Sequence, residues 1–268
     1  SDDDTEIILE NFKKQFPQLQ IVPIPIDASR NLKGKKFALA QGIAAAKFER
    51  LLLTDADCTP ASENWLSLMT QNISDEKQII AGVGLYRFRL NATVIFTAWE
   101  TLHTYIQYSA YANSKMPYMA VGRNLATTKE LFLTAQKNEL WNKLPSGDDD
   151  LLVQICATES NVLIQGAPAS FTFSEAKTNW TSYFAQKQRH VSTGKLYSKK
   201  QQFLLALYAA SHALVWFLFI LLMLAGHRSE ILSLMILRCF ITWMVWAIAA
   251  ISVRQYLLIL FFPIADFY

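Results

Sequence analysis

The chain has 268 residues, with 25 Lys and Arg against 22 Asp and Glu and a formal net charge of +3. So small an excess, with no basic stretch interleaved with stacking aromatics, gives nucleic acid nothing to bind. The hydrophobic fraction of 52% is high for a purely soluble protein, and charge is concentrated in residues 1–200 while 203–262 are almost uncharged. A soluble domain followed by membrane segments is the expected organisation.

The chain opens on Ser1-Asp2-Asp3-Asp4-Thr5 and stops at Phe267-Tyr268 inside an apolar stretch; a piece clipped at both ends, lacking its first strand, is expected. Ile7, Ile8, Phe12 and Phe16 predict a helix over 5–16, with Thr5 as N-cap and Pro17 as its stop. Leu19-Gln20-Ile21-Val22-Pro23 reads as a short strand. The basic turn Asn31–Lys36 leads into an Ala-rich helix over 37–47. Leu51–Thr54 is a short continuous apolar run, as expected of a strand buried on both faces. A helix over 61–71, a strand-rich stretch over 78–90 and a long helix containing Trp99, Leu102, Tyr105 and Ile106 follow. Helices and strands alternating at this spacing predict an α/β fold with a mostly parallel sheet.

The 24 residues Phe203–Gly226 contain no Asp, Glu, Lys or Arg. At about 1.5 Å per residue they reach roughly 36 Å, beyond the roughly 30 Å hydrocarbon core of a bilayer. A second run, 231–253, carries only Arg238, and a third begins at Tyr256. Lys187, Arg189, Lys195, Lys199 and Lys200 precede the first run, which by the positive-inside rule puts the soluble domain in the cytoplasm. The three Asn-x-Ser/Thr triplets at Asn72, Asn91 and Asn179 are therefore read as chance occurrences on the cytosolic side. The three cysteines (Cys58, Cys156, Cys239) are widely separated and make neither a disulfide framework nor a metal motif; buried packing is their expected role.

Chemistry concentrates in the acidic positions. Asp55-Ala56-Asp57 follows the predicted strand 51–54. Residues i and i+2 of an extended chain point the same way, so both carboxylates can face one ligand beyond the carboxyl end of the sheet. Hard oxygen donors of this kind suit Mg²⁺ or Mn²⁺, which keep positions for water and phosphate oxygens. Asp2 and Asp3 stand where a strand would hand over to the first helix. Ser146-Gly147-Asp148-Asp149-Asp150 places three carboxylates at a helix start, where the helix dipole favours them; Asp148 or Asp149 is the candidate general base for an acceptor hydroxyl. Over 180–191, Trp180, Tyr183, Phe184 and Val191 share one helical face, and Gln186 and Arg189 share another. Such a helix just before a membrane span is expected to lie at the interface, with the polar pair pointing back to the catalytic domain.

Together these segments resemble membrane-bound members of glycosyltransferase family 2, with their series D, DxD, ED or DD, and QxxRW. The series here reads Asp2 or Asp3; Asp55-Ala56-Asp57; Asp148-Asp149; and Gln186-Lys187-Gln188-Arg189-His190. Gly34-Lys35, Ala38-Leu39 and Gly42 are similar to the family's GK-x-x-AL-x-x-G segment, and Gly122-Arg123-Asn124-Leu125-Ala126 to its acceptor-side G-x-N-x-A segment. The resemblance implies a GT-A (Rossmann-like) fold, a UDP-sugar donor, Mg²⁺ or Mn²⁺, and inverting hexosyl transfer. It assigns the nucleotide sugar to Asp2, Asp3, Lys35, Asp55, Gln186 and Arg189, the metal to Asp55 and Asp57, the base to Asp148 or Asp149, and the acceptor side to Gly122, Asn124 and His190. His190 stands where the family has Trp, which favours single transfer to a membrane lipid or lipid-linked glycan. A processive polysaccharide synthase, or a non-catalytic scaffold with a degenerate transferase domain, are the alternatives. The expected organisation is a cytosolic GT-A domain over 1–179, an interface helix and linker over 180–200, spans over 203–226 and 231–253, and a further segment from 256 to 268. An integral protein of a bacterial inner membrane, with its catalytic domain in the cytoplasm, is the expected setting.

Overall fold

A computed structural model of the chain describes residues 4–24, 34–144, 146–226 and 228–266. The chain divides into two units, Ser1–Phe48 and Glu49–Tyr268. In the first, α1 (Thr5–Gln15) and α2 (Lys35–Ala45) are the two helices among the described residues. Thr5 is the first helical residue rather than the cap, which is Asp4 without a side-chain bond. The expected strand over 19–23 does not form. A strand this short needs a ladder partner, and Pro23 removes one of its donors. Gly34 caps α2 with φ of 78°, a conformation open to glycine.

The second unit holds two small sheets. Its elements in order are β1 (Arg50–Leu53), β2 (Thr59–Pro60), α3 (Trp65–Thr70), β3 (Ile79–Ala81), β4 (Gly84–Tyr86), α4 (Ala92–Asn113), β5 (Leu125–Thr128), α5 (Lys129–Lys137), α6 (Asp148–Cys156), β6 (Val162–Ile164), β7 (Thr172–Ser174), α7 (Trp180–Val191), α8 (Lys199–Leu224), α9 (Arg228–Ser252) and α10 (Leu258–Ala265). One sheet has the order β1-β5-β3-β6 and the other β2-β7-β4. The α/β class is as expected, but the strand directions are not mostly parallel. Only β3 with β6 and β4 with β7 run parallel; β5 lies antiparallel to both β1 and β3, and β2 to β7. The reversed strand β5 pairs with segments far away in sequence, which local periodicity does not encode.

Burial follows the sheets. Ile79, Ile80 and Ala81 of β3 are fully enclosed, and Met69, Ile73 and Ala126 pack around Ile80. A second core joins Val83, Leu85 and Phe171 to Ala98, Trp99 and Leu102 of α4, and to Ala250, Val253 and Leu258 at the α9–α10 corner. Helix α4 is thus apolar on two sides. Its N-cap is Asn91, whose side chain accepts from the Val94 N–H, and Asn179 caps α7 in the same way through Ser182. Two of the three Asn-x-Ser/Thr triplets are therefore helix caps.

Helices α8 and α9 are long and apolar enough to cross a membrane. Ser198 and Gln201 form a reciprocal capping box that starts α8. The one charge in the interior of α9, Arg238, pairs with Asp266 after α10, and it also reaches His212 Nδ1 of α8 at 3.1 Å. Burying a cation between apolar helices requires such partners. The cysteines are all free, and of the three only Cys156 is fully buried.

Gly147, the N-cap of α6, has φ of 79°, and a Cβ there would lie 2.1 Å from Thr193 Cγ2. Gly147→Ala combines a left-handed backbone cost of about 1–2 kcal/mol with that clash. The variant in detergent should unfold at a temperature several degrees below wild type, and an unchanged melting curve would show that α6 does not depend on this turn.

Candidate active site

The site is built around the exit of β1. After Leu53 the chain leaves the sheet, and Thr54 donates its hydroxyl to the Arg123 carbonyl at 3.0 Å. Ala56 and Asp57 then form a turn, closed by the Cys58 N–H on the Asp55 carbonyl at 3.1 Å. The two carboxylates are displayed from this turn, not from the extended run expected, because the strand ends two residues before Asp55. Asp55 is half-buried and Asp57 exposed. Burial pushes the Cys58 thiol up, as do Asp57 and, less strongly, Asp55, while Arg123 opposes them. The pair and Arg123 therefore act on one locus. No cluster of three or more His, Cys, Asp or Glu suited to a metal occurs among the described residues.

The segment Gly122–Asn124 faces this turn. The Gly122 N–H donates to Asp149 Oδ2 at 2.6 Å, and a Cβ on Gly122 would sit 3.1 Å from that oxygen. Arg123 lays its guanidinium 4.2 Å from the Tyr86 ring centre and donates Nη2 to the Gly84 carbonyl at 2.6 Å. Asn124 is completely buried. Its Nδ2 donates to the carbonyls of Val83 (2.9 Å) and Ser170 (2.8 Å), and its Oδ1 accepts from Trp65 Nε1 (3.0 Å). Expected on the acceptor side, Asn124 instead has its amide committed to holding the loop, because both donors and the acceptor are used inside the fold.

The acidic triplet at the start of α6 divides its work. Asp148 is buried and Asp149 half-buried, the latter bonded to Gly122 and, through Oδ1, to the Asp150 N–H. Asp150 is enclosed, and its Oδ2 accepts from Thr193 at 2.7 Å and Tyr197 at 2.8 Å. Burial, then repulsion from Asp149, raises the Asp150 carboxyl well above the usual range, against the pull of those two hydroxyls.

Helix α7 supplies the last side. Tyr183 turns inward and donates to Glu100 Oε2 of α4 at 2.8 Å, and Lys187 pairs with the same carboxylate. Gln186 donates to the Tyr86 hydroxyl at 3.4 Å, so it points back toward the site as expected. Arg189 does not join it and stays exposed. His190 is exposed at the end of α7; partial desolvation, then the charges of Lys187, Arg123 and Arg189, lowers its imidazole below the ordinary value, against the pull of Glu100. Trp180 and Phe184 remain exposed on the outer face. Asp2 and Asp3 lie outside the described residues, and Lys35 opens α2 of the first unit.

The fold thus gathers Asp55, Asp57, Gly122, Asp149, Gln186 and His190 around Arg123 and Tyr86. Residues 51–261 match the family model for glycosyl transferase family group 2. The chain belongs to that family. The matched span takes in the α/β region and the two apolar C-terminal helices already described. Among solved structures the chain is similar to a mycobacterial protein, at 14% identity over 68% of this chain and 56% of that one. It is also similar to glucosyl-3-phosphoglycerate synthase from Mycobacterium tuberculosis, in a complex with Mn²⁺, UDP and glucosyl-3-phosphoglycerate (13% identity, 69% of this chain, 61% of that one) and in one with phosphoglyceric acid (13%, 69%, 60%). Each has a TM-score of 0.37. The chain spans 56–61% of the length of these structures. No curated protein matches it.

Sequence reasoning about this family member passed over Arg123, Tyr86, Glu100 and Asp150. Arg123 stood inside a recognised segment, but its importance depends on Gly84 and Tyr86, which no motif links to it. The state of Asp150 is open to test. Its raised carboxyl means that ionisation in the fold is unfavourable, so its contribution to stability is greatest below the ordinary carboxylate value of about 4. That contribution falls as pH rises toward the raised native value and then levels off. Asp150→Asn removes the loss, so the melting temperature of the variant minus that of wild type should grow between pH 4 and 8; a constant offset would contradict this.

Proposed function

We propose that the protein is an inverting, metal-dependent glycosyltransferase moving a sugar from a UDP-sugar to a hydroxyl of a membrane lipid or lipid-linked glycan. The observation that carries this reading is the convergence of the Asp55–Asp57 turn, Asp149 and Gln186 on one segment, Gly122–Asn124, within a chain of this family.

The donor set fits a hard divalent cation. Two carboxylates on one turn, with no third acidic, His or Cys ligand clustered with them among the described residues, leave most of the coordination sphere to water and phosphate oxygens, as Mg²⁺ and Mn²⁺ require. Asp55 and Asp57 would hold it, and when bound it neutralises charge on the leaving diphosphate. Asp149 is favoured over the more buried Asp148 as base, since it is half-exposed and its Oδ2 is already oriented by Gly122. In the reaction the acceptor oxygen bonds to the anomeric carbon as the carbon–oxygen bond to the diphosphate breaks. The hydroxyl proton passes to Asp149, and UDP departs with the bonding electrons. His190 lines the acceptor side. Gln186 steadies the donor through the Tyr86 side of the site.

Placement beside a membrane supports the acceptor class. Helices α9 and α10 pack through Ala250, Val253 and Leu258 on the same core as β4 and α4, and α7 is tied to α4 through Glu100. A lipid lying along the apolar helices would bring its head group toward the edge of the catalytic domain. The basic residues ahead of α8 support a cytosolic domain over residues up to 179, followed by an interface segment at 180–200 and the two spans.

Transfer of radiolabel from UDP-sugars into an organic-extractable product in the presence of Mn²⁺ tests this reading. Asp55→Ala, Asp57→Ala and Asp149→Asn should each reduce transfer by at least about 100-fold. Full turnover in both Asp55→Ala and Asp57→Ala would remove the metal assignment, and absence of transfer from any UDP-sugar by wild type would remove the function.

A further inference from the structure

Arg123 has no carboxylate paired with it among the described residues. Its Nε N–H is buried and has no acceptor. The guanidinium meets only the Gly84 carbonyl at 2.6 Å, the Ser174 hydroxyl at 3.5 Å and the face of Tyr86 at 4.2 Å. Neutral partners of this kind fix the orientation of a charge but do not balance it.

The surroundings are arranged to keep it there. Gly84 has no side chain, and a Cβ at that position would stand 2.3 Å from Arg123 Nε. The Arg123 carbonyl accepts from both Thr54, at 3.0 Å, and Thr172, at 3.1 Å, so its backbone is held from two sheets at once. Thr54 immediately precedes Asp55. Tyr86, beneath the guanidinium, receives the hydrogen bond from Gln186 of α7. Arg123 therefore lies between the carboxylate turn and the helix carrying Gln186.

A planar guanidinium held rigid, with N–H groups unspent, is matched to a phosphate group, which it can bind through two parallel hydrogen bonds. We propose that Arg123 binds the diphosphate of the nucleotide-sugar donor, as a direct counter-ion beside the carboxylate turn. The proposal rests on the reading of the protein as a UDP-sugar transferase. It differs from a structural role, in which Arg123 would serve only to offset the negative charge of Asp55 and Asp57.

Uridine and UDP separate the two, since both occupy the nucleoside pocket and only UDP carries the diphosphate. Binding of each is measured by calorimetry to the full chain in detergent, without metal and with Mn²⁺. For Arg123→Gln, UDP affinity should fall about 10- to 100-fold, while uridine affinity stays within about twofold of wild type. Equal losses for UDP and uridine, or no loss of either, overturn the proposal. Should Arg123→Gln fail to fold, Arg123→Lys decides. It keeps the charge but not the fork, so UDP should bind about tenfold more weakly with uridine unchanged, and a UDP-to-uridine ratio equal to wild type overturns the proposal. A wild-type chain that binds no UDP removes the functional reading and this proposal together, whereas wild-type binding with insensitive variants removes this proposal alone.

Discussion

The carboxamide of Asn124 holds together parts of the chain that no single sheet joins. Its two N–H bonds reach the carbonyls of Val83 and Ser170, which lead into β4 and β7 of the smaller sheet, while Asn124 itself leads into β5 of the larger one. Trp65 of α3 donates to its oxygen from a third direction. Losing this side chain would orphan the Ser170 carbonyl and the Trp65 indole N–H, each costing about 1–3 kcal/mol, and leave the Val83 carbonyl with the Thr172 N–H as its remaining donor. The geometry of Gly122 and Arg123, which precede Asn124, depends on that anchorage. So does the placement of Asp149, because its carboxylate is oriented by the Gly122 N–H. One internal amide therefore fixes where the acidic turn, the guanidinium and the candidate base stand with respect to each other.

Helix α4 carries the second dependence. On one side Leu102 and Trp99 belong to the core beneath the smaller sheet. On another, Trp99 stacks on Trp246 of α9 with centroids 5.2 Å apart and planes 4° from parallel, and His103 stacks beside them while bonding the Tyr208 hydroxyl of α8 at 2.9 Å. Its Glu100 meanwhile holds Tyr183 and Lys187 of α7. A helix linked to the sheet, to α7 and to both long apolar helices sets the candidate site at a fixed height relative to any membrane those helices enter. Aromatic stacking suits this task, since large rings bury area with few rotatable bonds.

What the sequence disclosed, and what it withheld, follows the range of the interactions. The Asp55–Asp57 turn could be read as one unit because an apolar strand, a turn and the carboxylates all fall within eight residues, although the expected burial on both faces holds only for Leu51. Helices with a clear 3.6-residue period, such as α4 and α7, were legible for the same reason, as were the apolar α8 and α9. The direction of β5 was not, since it is decided by pairing with β1 and β3 across intervening helices. Nor was the commitment of Asn124, whose position in an acceptor-side segment said nothing of the carbonyls awaiting it. The acidic triplet displays both cases at once. Its place at a helix start could be read locally, but Asp150 is set apart from Asp149 only by Thr193 and Tyr197, more than forty residues downstream.

That separation of roles within the triplet bears on how such a site keeps several carboxylates close together. Three ionised groups in one helical turn repel, and the helix dipole offsets only part of this, about 0.3–1 kcal/mol per charge at an exposed terminus. Enclosing Asp150 and raising its proton affinity removes one negative charge from the turn over part of the pH range. Asp149 then faces one fewer ionised neighbour, and its geometry is set by neutral N–H donors, not by a competing cation. Arg123, a neighbour in the loop that Asp149 bonds, forms no ion pair with it. A base paired with arginine would give up proton affinity to that charge. The carboxylate is held by the Gly122 and Asp150 N–H groups and the guanidinium by Gly84 and Tyr86, so the proposed transfer can draw on the two separately.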